Sequence, residues 1–590
     1  MAAAGLGGCG ILLQGCSMRK DFDVVIKSGR ILDGLGNEPY EADIGIKGDI
    51  IKEIGIIPTS KAKNVIDAQN LAVCPGFIDA HDHTDVQLLV NPKAESSIRQ
   101  GITTLVSGNC GGTPFPVAEE ILDEMKQDLK ELYQIDLTWR DINGFFSRLE
   151  EKGMALNYST FIGQGTIRGA AMGFNDRPPT DEEIDKMKLL VAENIEAGAL
   201  GLSTGLEYAP GSYAGKEEIE ELCKVVSRYK GVYATHMRDE GDRLLESMDE
   251  AIEAALKTGV SLQISHFKIA YPRNWHKIDA ALGKVEEAQA KGVSIFCDRY
   301  PYIAGSTGLS YYFPLWARQG TTEEFLARLK NPELENRIQS YLSEQETKLG
   351  SWDKVVISSV VSDENKRFEG KSVLQGAKET AKSPFEFMRD ILIEEKNRVG
   401  MVTFMMSEEN LKRILAHPLV GVGTDGSAIA PYGLLRMGKP HPRLYGTFPR
   451  VLGKYIREEK IVPLPEMVKK MTSLPAQKFG FTRRGVLKKG YHADVVVFDL
   501  FLHHFDGCVT GQQAVAGGFG GQYAYFDHPA VAVGVAVGDQ DVLQEGLFVD
   551  LQYFSIEGED EWPNPFGAFD GGGAASGFDL FADRFEADLQ

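Results

Sequence analysis

From Leu71 onward the chain repeats one rhythm: a short apolar run that reads as a strand, then an amphipathic run that reads as a helix. Eight such strands are expected, at 72–83, 103–110, 158–165, 199–205, 232–237, 261–267, 293–298 and 420–425. Helical segments fall between them, for example at 181–197, 217–229 and 244–258. Parallel strands need a crossover of a dozen or more residues, usually a helix. Eight consecutive units therefore predict an α/β fold, a (β/α)8 barrel with its chemistry at the C-terminal strand ends.

The polar residues at those ends form a set. Strand one ends in Ala80-His81-Asp82-His83, whose period of two turns both imidazoles to one face. Strand two ends in Cys110, strand five in His236, strand six in His266 and strand eight in Asp425. Each alone has an ordinary structural role: small core filler for Cys110, a satisfied buried histidine for His236 or His266, a turn-former for Asp425. All six at one end of the same barrel point instead to a metal site built from nitrogen, sulfur and carboxylate donors.

What flanks the barrel sets the domain plan. At 590 residues the chain exceeds one small core. Residues 22–71 alternate like short strands separated by Gly, Asp and Asn, a β unit to which 451–550 are expected to return. The barrel would occupy 72–450 and carry an insertion at about 300–419, long enough to cover the active face as a lid or substrate loop. From Phe501 to Gln590 there are 15 acidic residues against a single Arg584, and residues 551–590 read as an acidic, Gly-rich tail without periodicity.

Several classes are excluded or disfavoured. A formal charge of −21 argues against nucleic-acid binding, which depends on neutralising phosphates. Seven cysteines without a CxxC pair read as reduced thiols. No run reaches the ~18 apolar residues of a membrane span. Residues 1–21 read as a non-native leader ahead of a start at Met18, which places the protein in the cytoplasm. The alternative is an atypical lipoprotein signal, Leu13-Gln14-Gly15-Cys16, with export and anchoring through Cys16.

Taken together, GFIDAHDHTD (76–85), GNCG (108–111), STGLEYAPG (203–211), THMRDE (235–240), SHFK (265–268), YPYIAGST (300–307), MVTFMMSEE (401–409), GTDG (423–426) and HPRLYGTFPR (441–450) resemble the D-aminoacylase, or N-acyl-D-amino-acid deacylase, family of the amidohydrolase superfamily. The resemblance spans about residues 22–500. It implies a barrel with a small β-sandwich formed by both chain ends, and a zinc-dependent hydrolase that cleaves N-acyl-D-amino acids to a carboxylate and a free D-amino acid. By motif position, one tightly bound Zn2+ falls to Cys110, His236 and His266. A second, weaker site falls to His81 and His83, sharing Cys110. Asp425 becomes the general base.

Many amidohydrolases bridge two metals with a carboxylated lysine after strand four; Gly201–Gly205 and the following Leu206-Glu207 hold none, and the Cys110 thiolate is the natural substitute. The substrate's α-carboxylate calls for cations. The resemblance points to Lys268, two residues beyond His266, and to Arg443, whose planar fork suits a carboxylate, with Tyr300 and Ser306 as lesser contacts. The partner expected is a small molecule, with no oligomeric state specified. The competing readings are a cyclic-amide hydrolase of the dihydroorotase or hydantoinase kind, and an inactive metal-binding scaffold.

Overall fold

The computed structural model describes residues 20–499. The expected leader, apart from its last residues, lies outside the described residues, as do the closing segment looked for at 531–546 and the acidic tail. Strands β1 (Phe22–Ile31), β2 (Tyr40–Lys47), β3 (Ile50–Gly55), β4 (Ala62–Asp67) and β5 (Ala72–Pro75) form a small sheet at the N-terminal end of the described chain. β1 is its hub, antiparallel to β2 and parallel to β4 and β5.

The segment 72–83, read as one strand, is two. Gly76 separates them at a close approach to Thr103, where a Cβ would stand 2.0 Å from Oγ1 and only glycine fits. Before the break β5 belongs to the small sheet; after it β6 (Phe77–Asp79) enters the barrel. β6 pairs in parallel with β7 (Ile102–Ser107), and β7 with β8 (Asn157–Thr160). The chain steps through Phe161, whose N–H donates to Ser107 C=O at 3.0 Å, into β9 (Ile162–Gly163). The series continues through β10 (Gly201–Gly205), β11 (Val232–His236), β12 (Ser261–Ile264), β13 (Ile295–Arg299) and, after the insertion, β17 (Val420–Val422). All eight expected strands are present.

Closure comes from main-chain bonds just beyond β6 and β17. Ala80 N–H donates to Val422 C=O (3.2 Å), Asp425 N–H to His81 C=O (2.8 Å) and His83 N–H to Gly426 C=O (2.6 Å). The barrel is thus sealed by the residues that carry the first and last of the expected donors. Strands β10, β11 and β13 are buried at every position, as parallel strands covered by helices must be.

The insertion is a folded body with its own core. β14 (Ala304–Gly308), β15 (Val355–Ser359) and β16 (Gly400–Phe404) form an antiparallel sheet in the order β14-β16-β15. Four helices, among them Pro332–Leu349 and Pro384–Glu394, pack on it around Leu342, Trp352, Phe387 and Met401. β14 sets Ser306 and Thr307 at the barrel rim.

Residues 451–478, grouped from sequence with the small β unit, carry helices at Val451–Glu458, Leu464–Met471 and Ser473–Lys478, the second at the bounds the sequence predicts. Met467, Val468 and Met471 join the core under the barrel strands, because the apolar stripe of Leu464–Met471 finds its cover there. The chain returns to the small sheet only at β18 (Val495–Phe498), antiparallel to β5. Along β18, Val496 and Phe498 pack on the barrel side, while Val495 and Val497 face the small-sheet core. Among the described residues, no helix is long and apolar enough to cross a membrane.

Candidate metal centre and catalytic pocket

Each expected donor emerges where a strand ends and the backbone turns. Cys110, His266 and Asp425 adopt left-handed conformations (φ +53°, +35° and +49°), unusual for residues with a Cβ. These bends aim the three side chains back over the barrel mouth. Polar groups behind them hold the bends in place. Ser203 Oγ donates to Gly108 C=O and accepts from Gly111 N–H at 3.1 Å, bracketing Cys110. Asp298 Oδ1 accepts the His266 main-chain N–H at 2.8 Å and lies 3.1 Å from His81 Nδ1. Buried Asp79 accepts from the N–H and hydroxyl of Thr424, one residue before Asp425.

The donors converge. Cys110 Sγ lies 3.5 Å from both His81 Nε2 and His266 Nε2, and His266 Nε2 lies 3.0 Å from His236 Nδ1. On the other side, His83 Nε2 is 3.1 Å and His81 Nε2 3.6 Å from Asp425 Oδ1. Two overlapping groups result: Cys110, His236 and His266; and His81, His83, Cys110 and Asp425. Cys110 is common to both.

The outward nitrogens are held by carboxylates. His236 Nε2 meets Glu207 at 3.1 Å and His266 Nδ1 meets Glu240 at 3.0 Å. This is the pattern in which an acid orients an imidazole whose other nitrogen takes a metal. A tetrahedral zinc with bonds of 2.0–2.3 Å needs donors roughly 3.3–3.6 Å apart; the 3.5 Å between Cys110 and His266 falls in that range, and the 3.0 Å between His266 and His236 is a few tenths of an ångström short of it.

The electrostatics point the same way. Burial works against the Cys110 thiolate, yet the His81 and His266 charges hold its pKa well below the ordinary thiol value. Burial also disfavours charged imidazoles, but Asp425 and Cys110 raise His83 to about 10, and Glu240, Cys110 and Glu207 raise His236 to about 10. Asp425, opposed by burial, is held well below the carboxylate range, by Arg443 foremost. Anionic donors in this pocket demand positive charge, and protons on the histidines supply it when no cation does.

The other expected residues are less simply placed. Arg443 Nη1 donates to Asp425 Oδ2 at 2.7 Å and Nη2 to Ser306 C=O at 3.1 Å, while its buried Nε has no partner. Lys268 Nζ lies 2.5 Å from Glu240 Oε2 and 2.7 Å from His266 Nδ1. Both cations expected to await a substrate carboxylate are thus already engaged with acids of the site. Ser306 lines the cavity, but its hydroxyl donates to Met401 C=O at 2.9 Å. Tyr300 stands apart: it is buried beneath the Arg443 guanidinium, 4.9 Å from its ring, and its hydroxyl has no hydrogen-bond partner among the described residues.

The cavity enclosed by these groups measures about 270 Å3. Glu207, Glu240 and Asp298 form the supporting acid layer, and sequence reasoning gave them no role. Their signal was available, since Asp298 is the penultimate residue of strand seven, and Glu207 and Glu240 follow strands four and five by two and four residues.

A model of the amidohydrolase family matches residues 64–305 and 377–515. D-aminoacylase of Alcaligenes xylosoxydans xylosoxydans is 34% identical over 485 residues, covering 81% of this chain and 88% of that protein. A structure of N-acyl-D-glutamate deacylase from Bordetella bronchiseptica, complexed with zinc and a phosphonate that mimics the tetrahedral intermediate, superposes with a TM-score of 0.68. It shares 31% identity over 81% of this chain and 90% of its own. A D-aminoacylase structure, described by a binuclear metal centre with one-metal activation and second-metal attenuation, is 33% identical with a TM-score of 0.64, over 81% of this chain and 90% of its own.

Proposed function

Because the chain belongs to the amidohydrolase family, on its D-aminoacylase branch, we propose that it hydrolyses the amide bond of N-acyl-D-amino acids, releasing a carboxylate and a free D-amino acid. The observation that carries this is the convergence of Cys110, His236 and His266 on one point with Asp425 beside them. Those three residues would hold the working zinc. His81 and His83, with Cys110 and Asp425, would form a second, weaker site. A zinc ion so held supplies Lewis acidity and lowers the pKa of a coordinated water from about 15.7 toward ~7.

The chain's own residues supply the rest. Asp425 is the proton carrier: ionised and buried, it accepts a proton from the attacking water and returns it to the leaving amine nitrogen as the C–N bond breaks. Arg443 fixes its role by binding Oδ2, which leaves Oδ1 turned toward His83 and the donors. The substrate α-carboxylate is drawn to the same two cations. An ammonium has three donors, and Lys268 gives one to Glu240. The Arg443 fork spends one N–H on Asp425 and one on Ser306 out of five. Neither is exhausted by its acid partner, so the carboxylate joins these networks without breaking them.

Metal analysis of the purified full chain, with amine release from N-acetyl-D-methionine, N-acetyl-L-methionine, hydantoin and dihydroorotate, tests the reading. Bound zinc and selective release from the D-enantiomer are expected. Turnover of the cyclic amides alone, or binding without any turnover, refutes it.

A further inference from the structure

A second cavity of about 250 Å3 adjoins the first and shares two of its walls, Cys110 and Tyr208. It lies among the loops that follow strands two, three and four, and its character is the reverse of its neighbour's. Val117, Ile121, Met125, Phe174 and Pro210 face it, and among the described residues no Asp, Glu, Lys or Arg lines it. Its few hydroxyls are already satisfied: Thr113 Oγ1 donates to Phe115 C=O at 2.6 Å, and Thr166 Oγ1 donates to Thr113 C=O and accepts from Thr113 N–H. An occupant therefore meets no unpaired polar side chain there, and a hydrocarbon is the chemistry that fits.

The wall nearest the reacting centre is bare main chain. A Cβ on Gly205 would stand 2.1 Å from Cys110 C=O oxygen, and one on Gly111 2.6 Å from Gly205 N, so these loops touch backbone to backbone. Tyr208 divides the two chambers, its hydroxyl donating to Thr307 Oγ1 at 3.3 Å.

We infer that this chamber binds the acyl chain of the substrate, and that the preferred substrates carry medium-length aliphatic acyl groups rather than acetyl. The inference rests on the deacylase reading above. An amide has two arms, and in that reading Lys268 and Arg443 draw the amino-acid arm into the charged cavity. The acyl arm must leave the carbonyl on another side, and the apolar chamber adjoins the charged cavity at Cys110 and Tyr208, which line both. A methyl group fills about the ~30 Å3 of a water molecule, so the chamber has room for roughly eight such groups and an acetyl leaves most of it empty.

The test is a series of N-acetyl-, N-butanoyl-, N-hexanoyl- and N-octanoyl-D-methionine on the zinc-loaded full chain. kcat/KM should climb with length, by about fourfold per methylene where burial is complete, the factor that ~0.8 kcal/mol per buried CH2 sets. At least tenfold is expected from acetyl to octanoyl. Gly169→Leu should narrow the chamber, because a Cβ there meets only the Phe174 ring at 3.6–3.8 Å, and should cut the octanoyl-to-acetyl ratio at least tenfold. Gly112→Leu is the second variant, since its Cβ would meet nothing within 4 Å. A flat or falling series with acetyl turnover intact overturns the inference alone. So does an unchanged ratio in both variants when both fold. Failure to hydrolyse any member, acetyl included, overturns the deacylase reading and this inference with it.

Discussion

Asp425 and Cys110 both stand among the candidate metal donors, and their surroundings separate their roles. Asp425 is tied by Arg443 and lies against His83, outside the Cys110–His236–His266 group. Asp425→Ala is therefore expected to lower kcat/KM by 10²–10⁴, the range of a general acid–base, while zinc content measured by atomic absorption stays near one per chain. Cys110 belongs to both donor groups, so Cys110→Ala should lose metal and activity together. Loss of the tightly bound zinc in the Asp425 variant would instead make it a ligand of the working metal.

Two further consequences belong to single residues. Glu207 lines the charged cavity, where the cations Lys268 and Arg443 already serve other acids. An acidic D-side chain would face that carboxylate, so N-acetyl-D-glutamate should show a lower kcat/KM than N-acetyl-D-methionine. Glu207→Gln keeps a carbonyl acceptor for His236 and should narrow the gap; a gap unchanged in the variant would remove Glu207 from specificity. In addition, His83 and His236 carry pKa values of about 10 without metal, above the ordinary 6.5. Below pH 10 zinc must displace their protons, whereas Cys110 is already a thiolate. Apparent zinc affinity should thus fall with acidity, by about tenfold or more per pH unit between 8 and 6. Calorimetry in buffers of different ionisation enthalpy would show the proton release, and its absence would contradict the assignment.

At the scale of elements, Gly76 is the joint between the two architectures. Ahead of it β5 pairs with β1 and β18; beyond it β6 pairs with β7. The chain passes so close to Thr103 that even one methyl collides. Gly76→Ala should lower stability by about 1–3 kcal/mol in denaturant titration, the usual effect of overpacking. An unaffected midpoint would mean that the joint relaxes freely. From sequence the whole of 72–83 reads as one strand, because the apolar run is continuous and the close approach that requires glycine at position 76 comes from a residue 27 positions away. The helix Leu464–Met471 shows the same limit. Its apolar stripe is legible, but which core it covers depends on what stands opposite.

At the scale of the molecule, β18 binds the last described part of the chain to both bodies. Val496, 1% exposed, reaches the barrel core, and Val497 the small-sheet core. Val496→Ala should cost about 2 kcal/mol, while Val496→Asp, burying an unpaired carboxylate, should sharply reduce the yield of folded protein. Equal, small effects of the two would show that the strand only rests on the barrel.

The sequence by itself determined the kinds of residue and their local periods. Those suffice for eight strands and for donors at their ends, because a period of two and the position of a strand end are properties of a few consecutive residues. The period of two also sets Lys268 on the face of His266, while Arg443 is pointed to by the family resemblance alone. Only the tertiary structure decided what those cations touch. Lys268 meets Glu240 from the neighbouring strand end, and Arg443 meets Asp425 across 18 residues of irregular chain. Likewise it decided that the barrel closes between Ala80 and Val422, and that an apolar chamber opens beside Cys110. The reason is physical: pairing, closure and enclosed volume are set by long-range approach of backbones, and local periodicity carries no information about which surfaces meet.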